Sequence, residues 1–91
     1  MTLGLVTKDP SAVLDYSVDW TVYLDGDTIT TSSWTSSDPG LVIDGAGNTQ
    51  TTTTVRLAGG TLGARYTVTN RIVMNSGQVD ERSFDVQCGS T

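Results

Sequence analysis

Apolar and polar side chains alternate with a period of two between residues 13 and 24. The apolar residues take every second position, and the positions between them carry mainly Asp, Ser and Thr. This alternation predicts a half-buried antiparallel strand. Because strands usually contain about five or six residues, we expect a bend or break within residues 21–24. The apolar set consists of Leu14, Tyr16, Val18, Trp20, Val22 and Leu24.

Five further segments have the composition of short strands and are separated by turn signals. They are rich in β-branched residues, and Gly, Asp, Asn, Ser or Pro occur between them. We predict about seven short strands in all, with turn signals at spacings of about 8–12 residues, which is typical of an all-β sandwich or barrel. The segments are 28–35, 41–43, 50–58, 66–74 and 78–88, and the main loops are 25–27, 36–40 and 44–48.

The length of 91 residues is that of one domain. We predict that residues 1–12 form an N-terminal arm, because Pro10 cannot donate a hydrogen bond to a strand ladder. The arm is expected either to be mobile or to dock on a neighbouring protein. Residues 13–88 are predicted to form an immunoglobulin-like sandwich domain, and residues 89–91 a C-terminal tail.

The immunoglobulin-like expectation comes from Tyr66, which follows a bend marked by Gly59, Gly60 and Gly63. A Tyr at the start of a strand, after a Leu and a Gly, resembles the tyrosine corner of immunoglobulin-like sandwiches. In that motif the ring is buried and the hydroxyl bonds to backbone a few residues upstream. The simpler alternative is an ordinary β-arch with a buried Tyr. In both cases the predicted aromatic core consists of Tyr16, Trp20, Trp34, Tyr66 and Phe84.

The chain is acidic, with a net charge of −5 that is unevenly distributed. Residues 1–50 carry −6 and residues 51–91 carry +1. A protein with so few basic residues binds phosphate poorly, so nucleic acid is not an expected partner. The asymmetry either helps identical copies to pack, acidic part against basic part, or leaves both parts simply solvated.

No motif in the sequence satisfies a catalytic, cofactor-binding or metal-binding mechanism. The chain has no His, so a Ser-His-Asp arrangement cannot form. Asp25, Asp27 and Asp44 lack the spacing and the closing Glu of a calcium loop, and turn chemistry explains them more simply. Cys88 has no second Cys to pair with, and the alternation around it predicts a buried strand residue. We therefore predict a protein that is not an enzyme and uses no cofactor.

Two regions are candidate binding sites. Lys8, Asp9 and Pro10 lie in the predicted arm, which is expected to contact a partner. Tyr23 is the aromatic residue that lies off the apolar face of its segment. An exposed Tyr can stack against a sugar, whereas a Tyr beside a turn more commonly packs on a neighbouring loop.

Several short motifs, taken in order, are similar to those of small proteins encoded in the structural gene clusters of tailed bacteriophages and prophages. The chain thus resembles the small immunoglobulin-like phage proteins that are described as fibre or head–tail accessory proteins. The motifs are KDP at 8–10, VLDYSVDW at 13–20, DGDTI at 25–29, SWT at 33–35, LAGG at 57–60, GARYTVTN at 63–70 and DERSF at 80–84.

The resemblance implies a structural component of the virion (capsid decoration, fibre or head–tail accessory protein) whose partners are phage proteins of the capsid, neck or tail. Edge strands and the arm are surfaces through which copies of the chain are expected to associate. No apolar run has the length of a membrane span and nothing resembles a signal peptide, so we expect no membrane partner and synthesis in the host bacterial cytoplasm. The alternative is a module that binds glycan or protein on the host surface through Tyr23 and the loops.

Overall fold

Seven strands and one short helix make up the computed structural model, which describes residues 2–89. In chain order they are β1 (Thr2–Lys8), β2 (Leu14–Asp19), α1 (Thr21–Leu24), β3 (Ile29–Ser36), β4 (Leu41–Asn48), β5 (Thr52–Gly59), β6 (Arg65–Met74) and β7 (Val79–Cys88). One sheet has the order β1-β7-β6-β3 and the other the order β2-β5-β4, and one apolar core lies between them. This arrangement confirms the predicted all-β sandwich.

Residues 2–8 of the predicted arm form a strand of the four-stranded sheet. β1 pairs in parallel with β7, and the register places Leu5 opposite Asp85 and Lys8 opposite Cys88. The expectation of an arm over residues 1–12 is therefore corrected for residues 2–8, which form a strand. Pro10 follows the end of β1, so its missing N–H does not interrupt the ladder.

The C-terminal end lies against the same strand. The backbone N–H of Gly89 donates to the carbonyl of Lys8 at 2.9 Å, so this first residue of the predicted tail continues the contact between β7 and β1. Met1, in the predicted arm, and residues 90–91, in the predicted tail, lie outside the described residues.

The single strand predicted over residues 13–24 divides into β2 and α1. In α1, the N–H of Leu24 donates to the carbonyl of Trp20 at 2.9 Å, which confirms the expected break. The period changes here from two to about 3.6, so Trp20 and Leu24 remain buried while Val22 becomes exposed. The assignment of Val22 to the apolar face was wrong for this reason.

A buried hydrogen-bond network fixes Trp20 between the two sheets. Its indole N–H donates to Oγ1 of Thr53 on β5 at 3.2 Å and to Oδ1 of Asn70 on β6 at 3.1 Å. Thr53 Oγ1 itself donates to Asn70 Oδ1 at 2.6 Å. The Nδ2 of Asn70 donates to Oγ of Ser32 at 2.9 Å and to the carbonyl of Ser33 at 3.0 Å. Because both polar atoms of the Asn70 side chain have partners, its burial leaves no unsatisfied group on that side chain.

Tyr66 lies at the start of β6 and is buried. Its hydroxyl accepts a hydrogen bond from the backbone N–H of Thr61 at 3.0 Å, as a tyrosine corner requires. The bend before β6 is closed by Gly60, whose N–H donates to the carbonyl of Gly40 at 2.8 Å. Gly60 has a φ of 99°, and a Cβ at this position would clash with Sγ of Cys88, so the bend requires glycine.

Four of the five predicted aromatic core residues are buried in the core. The exception is Tyr16, which is half-buried at the edge of the core. The ring centroid of Phe84 lies 5.5 Å from that of Tyr16 and 6.2 Å from that of Trp34. Cys88 is buried, as its strand alternation predicted. The fully packed aromatic residues are Trp20, Trp34, Tyr66 and Phe84.

The loop predicted over residues 44–48 is part of a strand. β4 extends through these residues, with Gly45 opposite Arg56 and Gly47 opposite Thr54 on β5. The register shifts just before Gly45, which marks a bulge. Glycines favour loops locally, but here the ladder with the Thr-rich β5 overrides that preference.

Candidate protein-interaction surfaces

Lys8 was predicted to lie in an exposed binding arm, but the structure buries it completely, with 0% exposure. Its Nζ donates to the carbonyl of Gly59 at 2.7 Å and to that of Asp9 at 3.0 Å. The bond to Gly59 connects β1 in one sheet to the end of β5 in the other. The predicted binding role of Lys8 is therefore corrected to a structural one, because its ammonium group is enclosed and already hydrogen-bonded.

Asp9 and Pro10 lie in the turn that leads from β1 to β2. The Asp9 Oδ1 accepts hydrogen bonds from the N–H of Ser11 at 2.9 Å and from the Ser11 hydroxyl at 2.8 Å. These bonds lower the pKa of Asp9. The N–H of Ala12 closes the turn by donating to the carbonyl of Asp9 at 2.9 Å. The two residues thus belong to a hydrogen-bonded turn, and a binding role for them stays a prediction.

Tyr23 is 43% exposed on α1, but neighbouring side chains hold its ring. It contacts Trp20 edge-on, with ring centroids 5.6 Å apart. The guanidinium carbon of Arg82 lies 5.4 Å from the Tyr23 centroid and 4.3 Å from the Trp20 ring. Interaction between the Tyr23 hydroxyl and the Asp80 carboxylate raises the pKa of Tyr23 and lowers that of Asp80. This arrangement matches turn-side packing, which was the alternative to a sugar-stacking platform.

On the outer face of the four-stranded sheet, polar side chains of β6 and β7 bond to one another. Outward residues of β6 lie opposite outward residues of β7 and form hydrogen bonds across the ladder. The charges on these two strands also balance, since Arg65 and Arg71 accompany Glu81 and Asp85. The bonded pairs are Thr67 with Asp85 at 2.9 Å, Thr69 with Ser83 at 2.9 Å, Arg71 with Glu81 at 3.1 Å and Arg65 with Gln87 at 3.3 Å.

The outer face of the three-stranded sheet has a different shape. We call it the β2-β5-β4 face, and define it by the outward residues Val13, Asp15, Asp19, Val42, Asp44, Gly45, Gly47, Thr54, Arg56 and Ala58. A shallow depression of about 270 Å³ lies on it, because Gly45 and Gly47 place no side chains beside Thr54 and Arg56. The depression therefore exposes β4 backbone next to long polar side chains of β5.

An ion pair borders this depression. Nε of Arg56 lies 2.9 Å from Oδ1 of Asp15 on the neighbouring strand, and each side chain is about half exposed. The hydrogen bond from Arg56 lowers the pKa of Asp15. Exposed pairs of this kind contribute at most about 1 kcal/mol to folding, so this one can be rearranged by a ligand at little cost.

An apolar row borders the depression on the same face. Val42 lies opposite Ala58 in the β4–β5 ladder. Leu14 lies opposite Leu57, and one further step in this register places Val13 on the other side of Ala58. Val13 and Val42 are 55% and 48% exposed. The β2-β5-β4 face thus presents an apolar row, an ion pair and a depression without side chains, in that order.

Neither a metal site nor a membrane-spanning helix is found within residues 2–89. No group of three His, Cys, Asp or Glu side chains in this range is placed to hold a metal ion. The single helix within the same range, α1, has four residues and is too short to cross a membrane.

Comparison with known protein families assigns the chain to one of them. Residues 8–87 match the family Gp77, described as podophage GP4 fiber-tail adaptor protein gp77. The chain belongs to the Gp77 family. The Gp77 match begins at the last residue of β1 and ends within β7, so it contains the β2-β5-β4 face and Tyr66. No curated protein matches the chain.

Membership of Gp77 confirms the predicted resemblance at the level of a phage structural protein. It identifies a tail accessory family, and this family is described by an assembly role and not by a reaction.

The residues that shape the β2-β5-β4 face were not predicted as a site. Gly45 and Gly47 were assigned to a loop on the basis of their local turn preference. Their spacing of two, opposite the Thr-rich segment that forms β5, is the signal that indicates a strand with one bare face.

Proposed function

We propose that the chain is a non-enzymatic adaptor that joins fibre to tail in a podophage particle through protein–protein contacts. The observation that carries the proposal is the Gp77 match over residues 8–87, whose description names a fiber-tail adaptor. On this proposal the chain is made in the host bacterial cytoplasm and becomes a component of the virion. Its partners are other phage structural proteins, and several copies assemble on one particle.

We also propose that the sandwich is immunoglobulin-like. The order β3-β6-β7 in one sheet and β2-β5-β4 in the other corresponds to the CFG and BED strands of that fold. Trp34 on β3 occupies the strand that carries the buried Trp of such domains, and Tyr66 near the start of β6 supplies the tyrosine corner. Val68, two residues after Tyr66, stands where antibody domains have a disulfide Cys.

The sandwich architecture supports an adaptor role. An adaptor needs two separate binding surfaces that are held at a fixed distance. The two outer faces of a β-sandwich point in opposite directions, and the packed core between them holds them rigidly. Bonded polar side chains of β6 and β7 lie on one outer face, and the depression lies on the other, so the molecule has two chemically distinct sides.

Particle composition and morphology test the proposal together. Mass spectrometry of purified particles is expected to detect the chain, and a stop codon in its gene is expected to give tails without fibres by negative-stain electron microscopy. Supplying the wild-type chain in trans is the control and should restore the fibres. Absence of the chain from wild-type particles, or normal fibres on mutant particles, contradicts the proposal.

A host-surface binding module was the alternative function, and no feature of residues 2–89 favours it. Its proposed stacking residue, Tyr23, has its ring engaged by Trp20 and Arg82.

A further inference from the structure

We propose that the β2-β5-β4 face is the docking surface for a different protein that presents a basic side chain beside an apolar one. This inference rests on the proposed adaptor function and specifies the chemistry of one of its two contacts. On this proposal the depression, the ion pair and the apolar row all contact the partner. The family description mentions none of these three features.

The charge of the β2-β5-β4 face determines the sign of the charge that its partner must carry. The outward residues of the face include three exposed acids, Asp15, Asp19 and Asp44, and one cation, Arg56. Arg56 already pairs with Asp15 at 2.9 Å, so the face retains a negative excess. A surface with this excess attracts a partner that carries Lys or Arg and repels an acidic one.

The shape of the face determines how the basic side chain enters. Gly47 has open space around the position of a Cβ, and at Gly45 the nearest atom is the Arg56 Cβ at 3.9 Å. A long basic side chain can therefore lie over the bare β4 backbone, with its charged end directed at Asp15 or Asp44. The methylenes of such a side chain pack on apolar surface while its head remains near the acids.

The apolar row supplies the second half of the contact. Val13 and Val42 are half-exposed on either side of Ala58, next to the depression. An apolar side chain from the partner, adjacent to its basic one, covers this row. Interfaces gain most of their energy from such a desolvated centre, with charges at the border setting the orientation.

A second copy of the chain does not fit this surface. Two β2-β5-β4 faces brought together would place acid against acid, which costs binding energy. The outer face of the four-stranded sheet is no better as an occupant, because the charges on β6 and β7 balance and their polar side chains are bonded across the ladder. The occupant we assign is therefore a different protein.

Two arginine substitutions and one control test the assignment. Gly47→Arg fills the depression and adds the wrong charge, and the open space at Gly47 indicates that the fold accepts it. Val42→Arg disrupts the apolar row from an exposed position. Thr35→Arg makes the same charge change at an exposed position of β3 on the opposite outer face.

Each variant is supplied in trans during infection with a phage that carries a stop codon in this gene, and the chain is quantified in purified particles by mass spectrometry. Thermal unfolding of each purified variant shows which ones keep the wild-type fold, and only those are compared. We expect G47R and V42R to reduce incorporation at least about tenfold and T35R to change it less than about twofold. If G47R and V42R fold and enter particles as well as the wild-type chain does, the docking face is overturned. The adaptor function would still stand, because the wild-type chain is present in the particles.

Two other outcomes separate the remaining possibilities. If the wild-type chain is missing from particles, the proposed function fails and this inference fails with it. If light scattering shows that the purified wild-type chain dimerises and that G47R abolishes the dimer, a second copy occupies the face and the assignment to a different protein is overturned.

Discussion

The ammonium group of Lys8 and the carbonyl oxygen of Gly59 lie 2.7 Å apart, and their hydrogen bond ties the first strand to the opposite sheet. Lys8 reaches this position because it ends β1 on the inward side of the ladder, opposite Cys88. Lys8, which was expected to contact a partner, therefore connects the two sheets of the sandwich.

Replacing Lys8 by Met tests this role. Met fills a similar volume but removes the donor to the carbonyl of Gly59, so we expect a loss of about 1–3 kcal/mol in the free energy of unfolding. Urea denaturation at neutral pH measures it. Arg65→Met is the matched control, because that side chain is exposed on the outer sheet face. Equal stabilities of K8M and wild type would show that the buried bond contributes nothing.

Tyr66→Phe removes the hydroxyl that accepts from the N–H of Thr61. We expect a destabilisation of about 0.5–1.5 kcal/mol, because the part-buried N–H loses its acceptor while the ring stays packed. Tyr16→Phe removes the same atom from a half-buried ring whose hydroxyl forms no hydrogen bond with the residues described, and it should be nearly neutral. A larger effect in Y16F than in Y66F argues against the tyrosine corner as a stabilising feature.

Asn70→Leu tests the network around Trp20. The substitution removes the acceptor of the Trp20 and Thr53 side chains and the donor to Ser32 and Ser33. Since several buried groups lose partners together, we expect a destabilisation of at least about 2 kcal/mol and a change in Trp fluorescence in the folded state. Asn48→Leu, on the exposed end of β4, is the comparison. An N70L protein with wild-type stability and fluorescence contradicts the network.

The Tyr23–Asp80 interaction gives a pH-dependent prediction. The pKa of Asp80 is lowered, so its contribution to stability is present above the ordinary value of 3.8 and is lost as pH falls through the folded-state pKa. The pKa of Tyr23 is raised, so its contribution is present below 10.0 and is lost as pH rises through the folded-state pKa.

The difference in urea midpoint between wild type and Tyr23→Phe should therefore be largest between about pH 5 and pH 9 and should shrink at about pH 2. Tyr16→Phe supplies the control, because its hydroxyl does not face Asp80. A Y23F difference that is unchanged in acid would mean that Asp80 is not the partner of the hydroxyl.

Local patterns predicted the parts of the fold in which burial follows the strand period. Tyr66, Val68, Ile72 and Met74 alternate with outward residues along β6, and all four are buried. The aromatic core followed from the same alternation. Its one exception, the half-buried Tyr16, lies on β2, an edge strand where the core ends.

The remaining features depend on contacts between distant parts of the chain. The parallel pairing of β1 with β7 joins the two ends of the sequence, and no local pattern encodes it. The burial of Lys8 depends on the carbonyl of Gly59, 51 residues away, and charge alone indicates exposure. The docking face was not predicted because its central residues, Gly45 and Gly47, have no side chains. Only their pairing with Arg56 and Thr54 on β5 shows that they leave a depression on the sheet.

A cryo-electron microscopy map of the tail of the intact particle tests the adaptor account most directly. The account predicts a seven-stranded sandwich at the junction of tail and fibre, in contact with both and with its β2-β5-β4 face covered by a different protein. A map that places the sandwich on the capsid, or at the junction but touching only one of the two structures, would contradict it.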